Sequence, residues 1–117
     1  MKNKPRRPFI EHRVLEIFDL EKNLEKVEKL EKSLKKFIKK CELMIVSEQG
    51  HNFKSHGFTK VYILSESHII FHSWPEDNYL NVDLMSCRKL MPVEKMKNLV
   101  KEVFRSEKMQ IKNVEYN

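Results

Sequence analysis

The chain has 117 residues, which is enough for one hydrophobic core and too few for a second. Hydrophobic residues make up 40% of it and charged residues 34%, a balance typical of a globular protein in water. The formal charge of +6 allows an anionic partner, but the lysines are interleaved with glutamates and no nucleic-acid-binding motif accompanies them, so we expect no nucleic acid as the main partner.

The cysteine count and the hydropathy pattern narrow the class further. Cys41 and Cys87 are too few for a disulfide framework, and neither lies in a metal-ligand spacing. No stretch approaches the roughly 20 apolar residues that span a membrane, and the basic N-terminal residues are followed by no apolar signal core. We therefore expect a cytoplasmic protein, without a membrane or a metal ion among its partners.

The first half of the chain predicts a strand, a long helix and a short strand. Residues 9–18 carry the branched and aromatic side chains of a strand. Residues 19–41 repeat apolar residues at three-to-four spacing, with glutamates placed four residues before lysines on the other face, as in an amphipathic helix. Residues 43–47 form a short apolar strand, and the loop expected after it contains both glycines, Gly50 and Gly57.

The second half predicts three strands, a helix and a last strand. Strands are expected at 59–65, 68–74 and 79–86, and a Pro-Glu-Asp-Asn turn joins the last two. A second amphipathic helix opens at Pro92, because proline suits the first helical turn. Residues 109–116 are a plausible final strand.

The order β-α-β-β-β-β-α-β predicts a single domain of the α+β class. Each amphipathic helix needs one buried face, so we expect a two-layer sandwich with both helices on one face of a mainly antiparallel sheet. The other face of the sheet also needs a cover, and a chain of this length has no third layer to supply. We therefore expect a homodimer that packs through this face.

One short segment carries an unusual chemical possibility. Ser67 follows Glu66 at the junction of two predicted strands, and His72 lies on the second of them. A serine hydroxyl attacks the preceding peptide carbonyl only where the peptide is strained, donors stabilise the oxyanion and a base is near. We expect His72 to be that base and to reach back toward the junction. Taken singly, residues of these types more often have a structural role.

The segment also carries a family resemblance. Ser-Glu-Ser-His, then His-x-Trp-Pro-Glu, then a cysteine twenty residues after the second serine resemble the prokaryotic S-adenosylmethionine decarboxylase proenzymes. A His-x-Phe motif and the run Val-Asp-Leu-Met-Ser-Cys stand in the same order and register. The resemblance implies self-cleavage between Glu66 and Ser67, which gives a β-chain of residues 1–66, an α-chain of residues 67–117 and a pyruvoyl cofactor made from Ser67.

The resemblance further implies roles for individual side chains. His72 would remove the α-proton of Ser67 after an acyl shift to its hydroxyl, and Thr59 stands where the family has a serine that supports processing. Cys87 would protonate the substrate carbon after carbon dioxide has left, although a small buried hydrophobe is its alternative role. The expected substrate contacts are Phe53 on adenine, Glu76 on the ribose hydroxyls and Trp74 on the sulfonium. Phe53 and Trp74 are equally ordinary core residues by type.

Three departures from the family pattern lie near the expected site. Residues 56–60 replace a glycine-rich run, Leu80 and Asn81 replace two small residues, and Arg88 replaces a glycine after the cysteine. Arg88 could lower the pKa of the neighbouring thiol or bind a carboxylate. These changes spare the cleavage residues but alter the pocket, so a pyruvoyl-dependent L-ornithine or L-arginine decarboxylase is an alternative. A further alternative is an uncleaved, non-catalytic regulatory relative.

Overall fold

The structure is a computed structural model that describes residues 5–21, 27–54 and 57–116. Its strands are β1 (Glu11–Phe18), β2 (Ile45–Asn52), β3 (Phe58–Leu64), β4 (Ser67–Trp74), β5 (Tyr79–Ser86) and β6 (Lys108–Asn113). Its helices are α1 (Val27–Lys40) and α2 (Val93–Phe104), and a single 3-10 turn, Pro75–Asp77, links β4 to β5.

The six strands form one sheet in the order β2-β3-β4-β5-β1-β6, and all neighbouring strands are antiparallel. β2 to β5 follow one another in the chain and in the sheet, because short turns connect antiparallel neighbours. β1 then pairs with β5 and β6, so the two helices are the connections that cross the sheet, α1 from β1 to β2 and α2 from β5 to β6.

Both helices pack on the same face of the sheet. Phe37 of α1 lies 6.4 Å from the ring of Phe71 on β4 and 5.5 Å from the ring of Phe104 on α2, so one aromatic side chain joins all three elements. The buried apolar residues of the sheet and of both helices form one continuous core. The predicted α+β two-layer sandwich is confirmed.

Two elements are shorter than predicted. Within the described residues α1 begins at Val27, and the predicted helical residues 22–26 lie outside that part of the chain. Asp19, where the prediction began, has a φ of 52°, a left-handed conformation that a right-handed helix excludes. β6 ends at Asn113 rather than at residue 116. No helix among the described residues is long and apolar enough to cross a membrane.

One strand is longer than predicted, because a glycine that suggested a loop lies inside it. Gly50 pairs with Lys60 of β3, and a Cβ at Gly50 would lie 3.0 Å from Cδ of that lysine. The glycine therefore leaves room for the lysine side chain instead of making a turn. Gly57 does lie in the connection, with a φ of 82°, and a Cβ there would clash with the carbonyl oxygen of Ser73.

The second face of the sheet is covered by no helix of the described residues. Strands β1, β4 and β5 alternate buried residues, which face the helices, with half-buried residues, which face away from them. This second face, called the open face below, carries the side chains of His68, His72 and Trp74 of β4. The candidate chemistry therefore lies largely on the side away from the helices.

Candidate active site

The predicted cleavage point lies in a tight turn of the sheet. β3 and β4 are joined by the two residues Ser65 and Glu66, and Leu64 pairs with Ser67 across the turn. Ser67 has a φ of 156°, in the positive range that residues with a side chain rarely adopt and that costs about 1–3 kcal/mol. The strained bend expected at the junction is therefore present, and it falls on the residue whose peptide bond would break.

A backbone donor points at the carbonyl group of that bond. The amide N–H of Cys87 donates to the carbonyl oxygen of Glu66 at 2.9 Å. This oxygen gains negative charge when the hydroxyl of Ser67 attacks, and a pre-placed amide stabilises such charge. Ser86 pairs with Ser67 in the register of β4 and β5, which brings Cys87 to this position. No sequence motif reveals this role of Cys87, because the donor is a backbone group.

The side chains around the turn form an ion pair. Arg88 donates to Oε1 of Glu66 at 3.1 Å, and Sγ of Cys87 lies 4.0 Å from Oε2 of the same carboxylate. Of the two roles considered for Arg88, the structure shows carboxylate binding, to Glu66. The arginine side chain is 71% exposed, so the pair adds little to stability. Glu66, Ser67, Cys87 and Arg88 are called the cleavage cluster below.

The second cysteine packs against the core. Cys41 follows α1 and packs against the hydrophobic core. Burial raises the pKa of its thiol to about 12, so the thiol stays protonated and unreactive at neutral pH. Cys87 is exposed, and it is the cysteine that lies beside Ser67.

The candidate base lies beside the predicted support residue. Thr59 and His72 are direct partners across β3 and β4, and Oγ1 of Thr59 lies 3.0 Å from Nδ1 of His72. When Nδ1 carries the proton and donates it to the hydroxyl, Nε2 keeps a lone pair that can accept a proton. In this tautomer His72 can act as a base through Nε2.

Two aromatic rings stack on this imidazole. Trp74 stacks on His72 with 4.2 Å between ring centroids and 18° between ring planes, and Phe53 stacks at 5.9 Å and 19°. Phe53 is 44% exposed, and Glu76 lies exposed in the 3-10 turn that follows Trp74. Phe53, Thr59, His72, Trp74 and Glu76 are called the imidazole cluster below.

A cavity of about 300 Å³ opens beside the imidazole cluster, between β2 and β3. This volume is at the lower end of the range of small-molecule sites. Thr59 and His51 are among its lining residues, and Val61 and Ile63 give it an apolar wall. A small organic substrate is therefore the class of ligand that this part of the sheet suits.

The structure does not bring the two clusters together within one chain. Ser67 and His72 are five residues apart on β4, which places their Cα atoms about 16 Å apart. The prediction that His72 reaches back to the junction is wrong, because β4 stays extended over this whole distance. The residues that would bind substrate, Phe53, Trp74 and Glu76, likewise lie with His72 and away from Ser67.

Comparison with known proteins agrees with the fold and with the motif order. The sequence profile of the family described as S-adenosylmethionine decarboxylase matches residues 11–116. An S-adenosylmethionine decarboxylase proenzyme of Clostridium botulinum is 35% identical over 104 residues, which cover 88% of this chain and 90% of the relative. One from Thermosipho africanus is 34% identical over 101 residues, 86% of this chain and 78% of the relative.

A solved structure shows the same fold. The crystal structure of the adenosylmethionine decarboxylase from Aquifex aeolicus superposes with a TM-score of 0.76, covering 96% of this chain and 93% of the other at 22% identity. The fold and the relatives define the class of the protein as a decarboxylase, that is, a carboxy-lyase. The chain belongs to the S-adenosylmethionine decarboxylase family, since the family profile spans nearly all of it.

Proposed function

We propose that this chain is a proenzyme that cleaves itself between Glu66 and Ser67, forms a pyruvoyl group from Ser67, and decarboxylates S-adenosylmethionine to the aminopropyl donor for spermidine. The observation that carries the proposal is the amide of Cys87, 2.9 Å from the carbonyl oxygen of Glu66, at the bond that precedes a serine with a φ of 156°. A strained peptide with a pre-placed donor on its oxygen is what an attack by the next hydroxyl requires. The basic chain without an apolar segment is expected to act in the cytoplasm.

Processing runs in two stages. The hydroxyl of Ser67 attacks the carbonyl carbon of Glu66, the peptide C–N bond breaks, and an ester and a free amine remain. His72 then takes the α-proton of Ser67, the ester C–O bond breaks, and Glu66 leaves as a carboxylate. Residue 67 is now a dehydroalanine, which takes up water and releases ammonia to give the pyruvoyl group. The steps are an acyl transfer, an elimination and a hydrolysis, so no oxidant is needed.

The base reaches Ser67 from a second copy of the chain. The 16 Å or so between the Cα atoms of Ser67 and His72 excludes their direct contact within one strand. The open face exposes the apolar side chains of Phe53, Ile63 and Trp74, which a second sheet would bury. A homodimer packed through this face would set the imidazole cluster of one protomer against the cleavage cluster of the other, and it would cover the face that the helices leave open.

After cleavage the pyruvoyl carbonyl supplies an electron sink for the loss of carbon dioxide. Cys87 is the proton donor at the substrate carbon, because its thiol is exposed beside residue 67 while that of Cys41 is partly buried against the core. Phe53 offers a partly exposed ring for adenine, and Glu76 offers an exposed carboxylate for the ribose hydroxyls.

The direct test is intact mass spectrometry of purified protein incubated with S-adenosylmethionine, L-ornithine or L-arginine and reduced with cyanoborohydride. We expect two fragments, residues 1–66 and 67–117, and a trapped adduct on the second fragment with S-adenosylmethionine only. A folded chain that stays uncut and carries no adduct would overturn the proposal and support a non-catalytic relative. An adduct with ornithine or arginine would leave the cleavage chemistry standing and change the substrate.

Phe53→Ala tests the adenine contact. We expect KM for S-adenosylmethionine to rise about 10-fold, since an aromatic stack is worth about 0.5–1.5 kcal/mol beyond area burial. The matched control is Phe53→Tyr, which keeps the ring and should keep KM within about twofold of that of the parent. Steady-state kinetics on fully cleaved material measures both. An unchanged KM in Phe53→Ala would exclude Phe53 from the nucleoside site.

A further inference from the structure

We propose that Trp74 is a positioning residue for self-cleavage, which holds the imidazole of His72 in the orientation that takes the α-proton of Ser67. This inference rests on the proposed function and gives Trp74 a different role from the sulfonium contact expected from the sequence. It follows from the stacked arrangement of the two rings and from the hydrogen bond that joins the imidazole edge to Thr59.

The stack occupies one of the two indole faces on which a sulfonium could be seated. The indole and imidazole planes are 18° apart with centroids 4.2 Å from each other, so His72 covers one face of the indole. Tyr79 lies 5.4 Å from the indole at a tilt of 52°, as its cross-strand partner on β5. A cation seated on this face of the indole would have to displace the imidazole. The indole is therefore a partner of His72 before any substrate arrives.

The stack also restricts the rotation of the His72 side chain. A half-buried histidine on a strand can occupy several staggered rotamers about its Cα–Cβ bond. The hydrogen bond to Thr59 alone fixes one ring atom and leaves the ring plane free to turn. With Trp74 and Phe53 both stacked on the imidazole, the ring plane is held as well as the ring edge. A general base must be held this closely to act.

The position of Trp74 in the strand explains why it can do this. His72 and Trp74 are two residues apart on β4, so both project from the open face with about 7 Å between their Cα atoms. Only a large flat side chain leaning along the strand closes that gap to a stacking distance. A leucine at position 74 keeps apolar bulk but offers no ring plane to the imidazole.

Self-cleavage takes place without substrate. A cleavage assay therefore reports on the positioning of His72 by Trp74 and not on a contact between Trp74 and a sulfonium. We compare the parent with Trp74→Leu and Trp74→Phe in cell-free synthesis, and follow the appearance of the 1–66 fragment with time. A positioning role predicts cleavage slower by about 10- to 100-fold in Trp74→Leu and within about threefold of the parent in Trp74→Phe. It also predicts that Trp74→Leu accumulates the ester, which hydroxylamine cleaves and a peptide bond resists.

Two further variants keep the test decisive. Tyr79→Leu removes the other ring on Trp74 and the aromatic pair of the β4–β5 hairpin but leaves the stack on His72, so we expect parental cleavage. If Trp74→Leu does not fold, Trp74→Met replaces it, because methionine also lacks a ring. Equal cleavage in the ringless variant and the parent, or equal slowing in Tyr79→Leu, would overturn the role of Trp74. A parent that never cleaves would instead overturn the proposed function itself.

Discussion

Ser67→Ala leaves a single uncut chain, and we expect no decarboxylase activity from it. Alanine has no hydroxyl to attack the carbonyl of Glu66, so neither the ester nor the pyruvoyl group can form. The loss of kcat should be at least about 10⁴-fold, the order seen when a covalent catalytic group is removed. Denaturing gels and intact mass measure the cleavage, and release of labelled carbon dioxide measures the activity.

The chain provides a matched control for this variant. Ser65 lies in the same turn and its hydroxyl donates to Glu66 at 3.3 Å, but it lies two residues before Ser67 and does not belong to the broken bond. Ser65→Ala should therefore be cut at Glu66 like the parent. Cleavage or decarboxylation in Ser67→Ala would show that residue 67 is not the source of the cofactor. Loss of cleavage in Ser65→Ala would show that the conformation of the turn, and not the hydroxyl of Ser67 alone, controls the reaction.

The two-layer fold was predictable because its signals are local and agree with one another. Leu30, Leu34 and Phe37 recur at helical spacing, and all three are buried in the core. The strand predicted at 79–86 matches β5, since alternation over eight residues fixes which side chains face inward. A helix that needs one buried face and a sheet with one apolar face have few ways to pack.

The errors in element boundaries have non-local causes. Gly50 reads as a loop residue, but it lies in β2 where Lys60 of the neighbouring strand needs room. Asp19 continues the polar pattern of the helix, yet its φ of 52° places it outside any helix. Both positions are decided by what surrounds them in the folded chain, and no single-sequence pattern carries that information.

The candidate site was predictable in its members and not in its geometry. The spacing of Ser67, His72 and Cys87 identified the residues, because a motif preserves order along the chain. The order of residues along the chain does not give the distances between them. The extended strand β4 separates Ser67 from His72, whereas the register of β4 with β5 brings Cys87 close to Ser67. The backbone amide of Cys87 and the stack of Trp74 on His72 carry no sequence signal beyond the residue types.

Mixing two inactive variants should restore cleavage, if the base comes from a second copy. Ser67→Ala and His72→Ala chains should each stay uncut when expressed alone, since removal of a general base slows such steps by about 10²–10⁴-fold. In a mixed dimer, the His72→Ala chain keeps Ser67 and meets an intact His72 from its partner. With random pairing at equal amounts, about half of the His72→Ala chains should be cut. Differently tagged chains, co-expressed and weighed by mass spectrometry, give this fraction.

The reciprocal experiment tests the same point through loss of cleavage, again at equal amounts of the two chains. A chain that carries both Ser67→Ala and His72→Ala, co-expressed with the parent, should leave about half of the parent chains uncut, because their partners lack the base. If His72 acted within its own chain, the parent would be cut completely here, and the first mixture would show no cleavage at all. An intramolecular base would require β4 to bend by the 16 Å or so that now separate the Cα atoms of the two residues, against its pairing with β3 and β5 over the full interval. The two mixtures therefore decide whether His72 acts on its own chain or on a second copy.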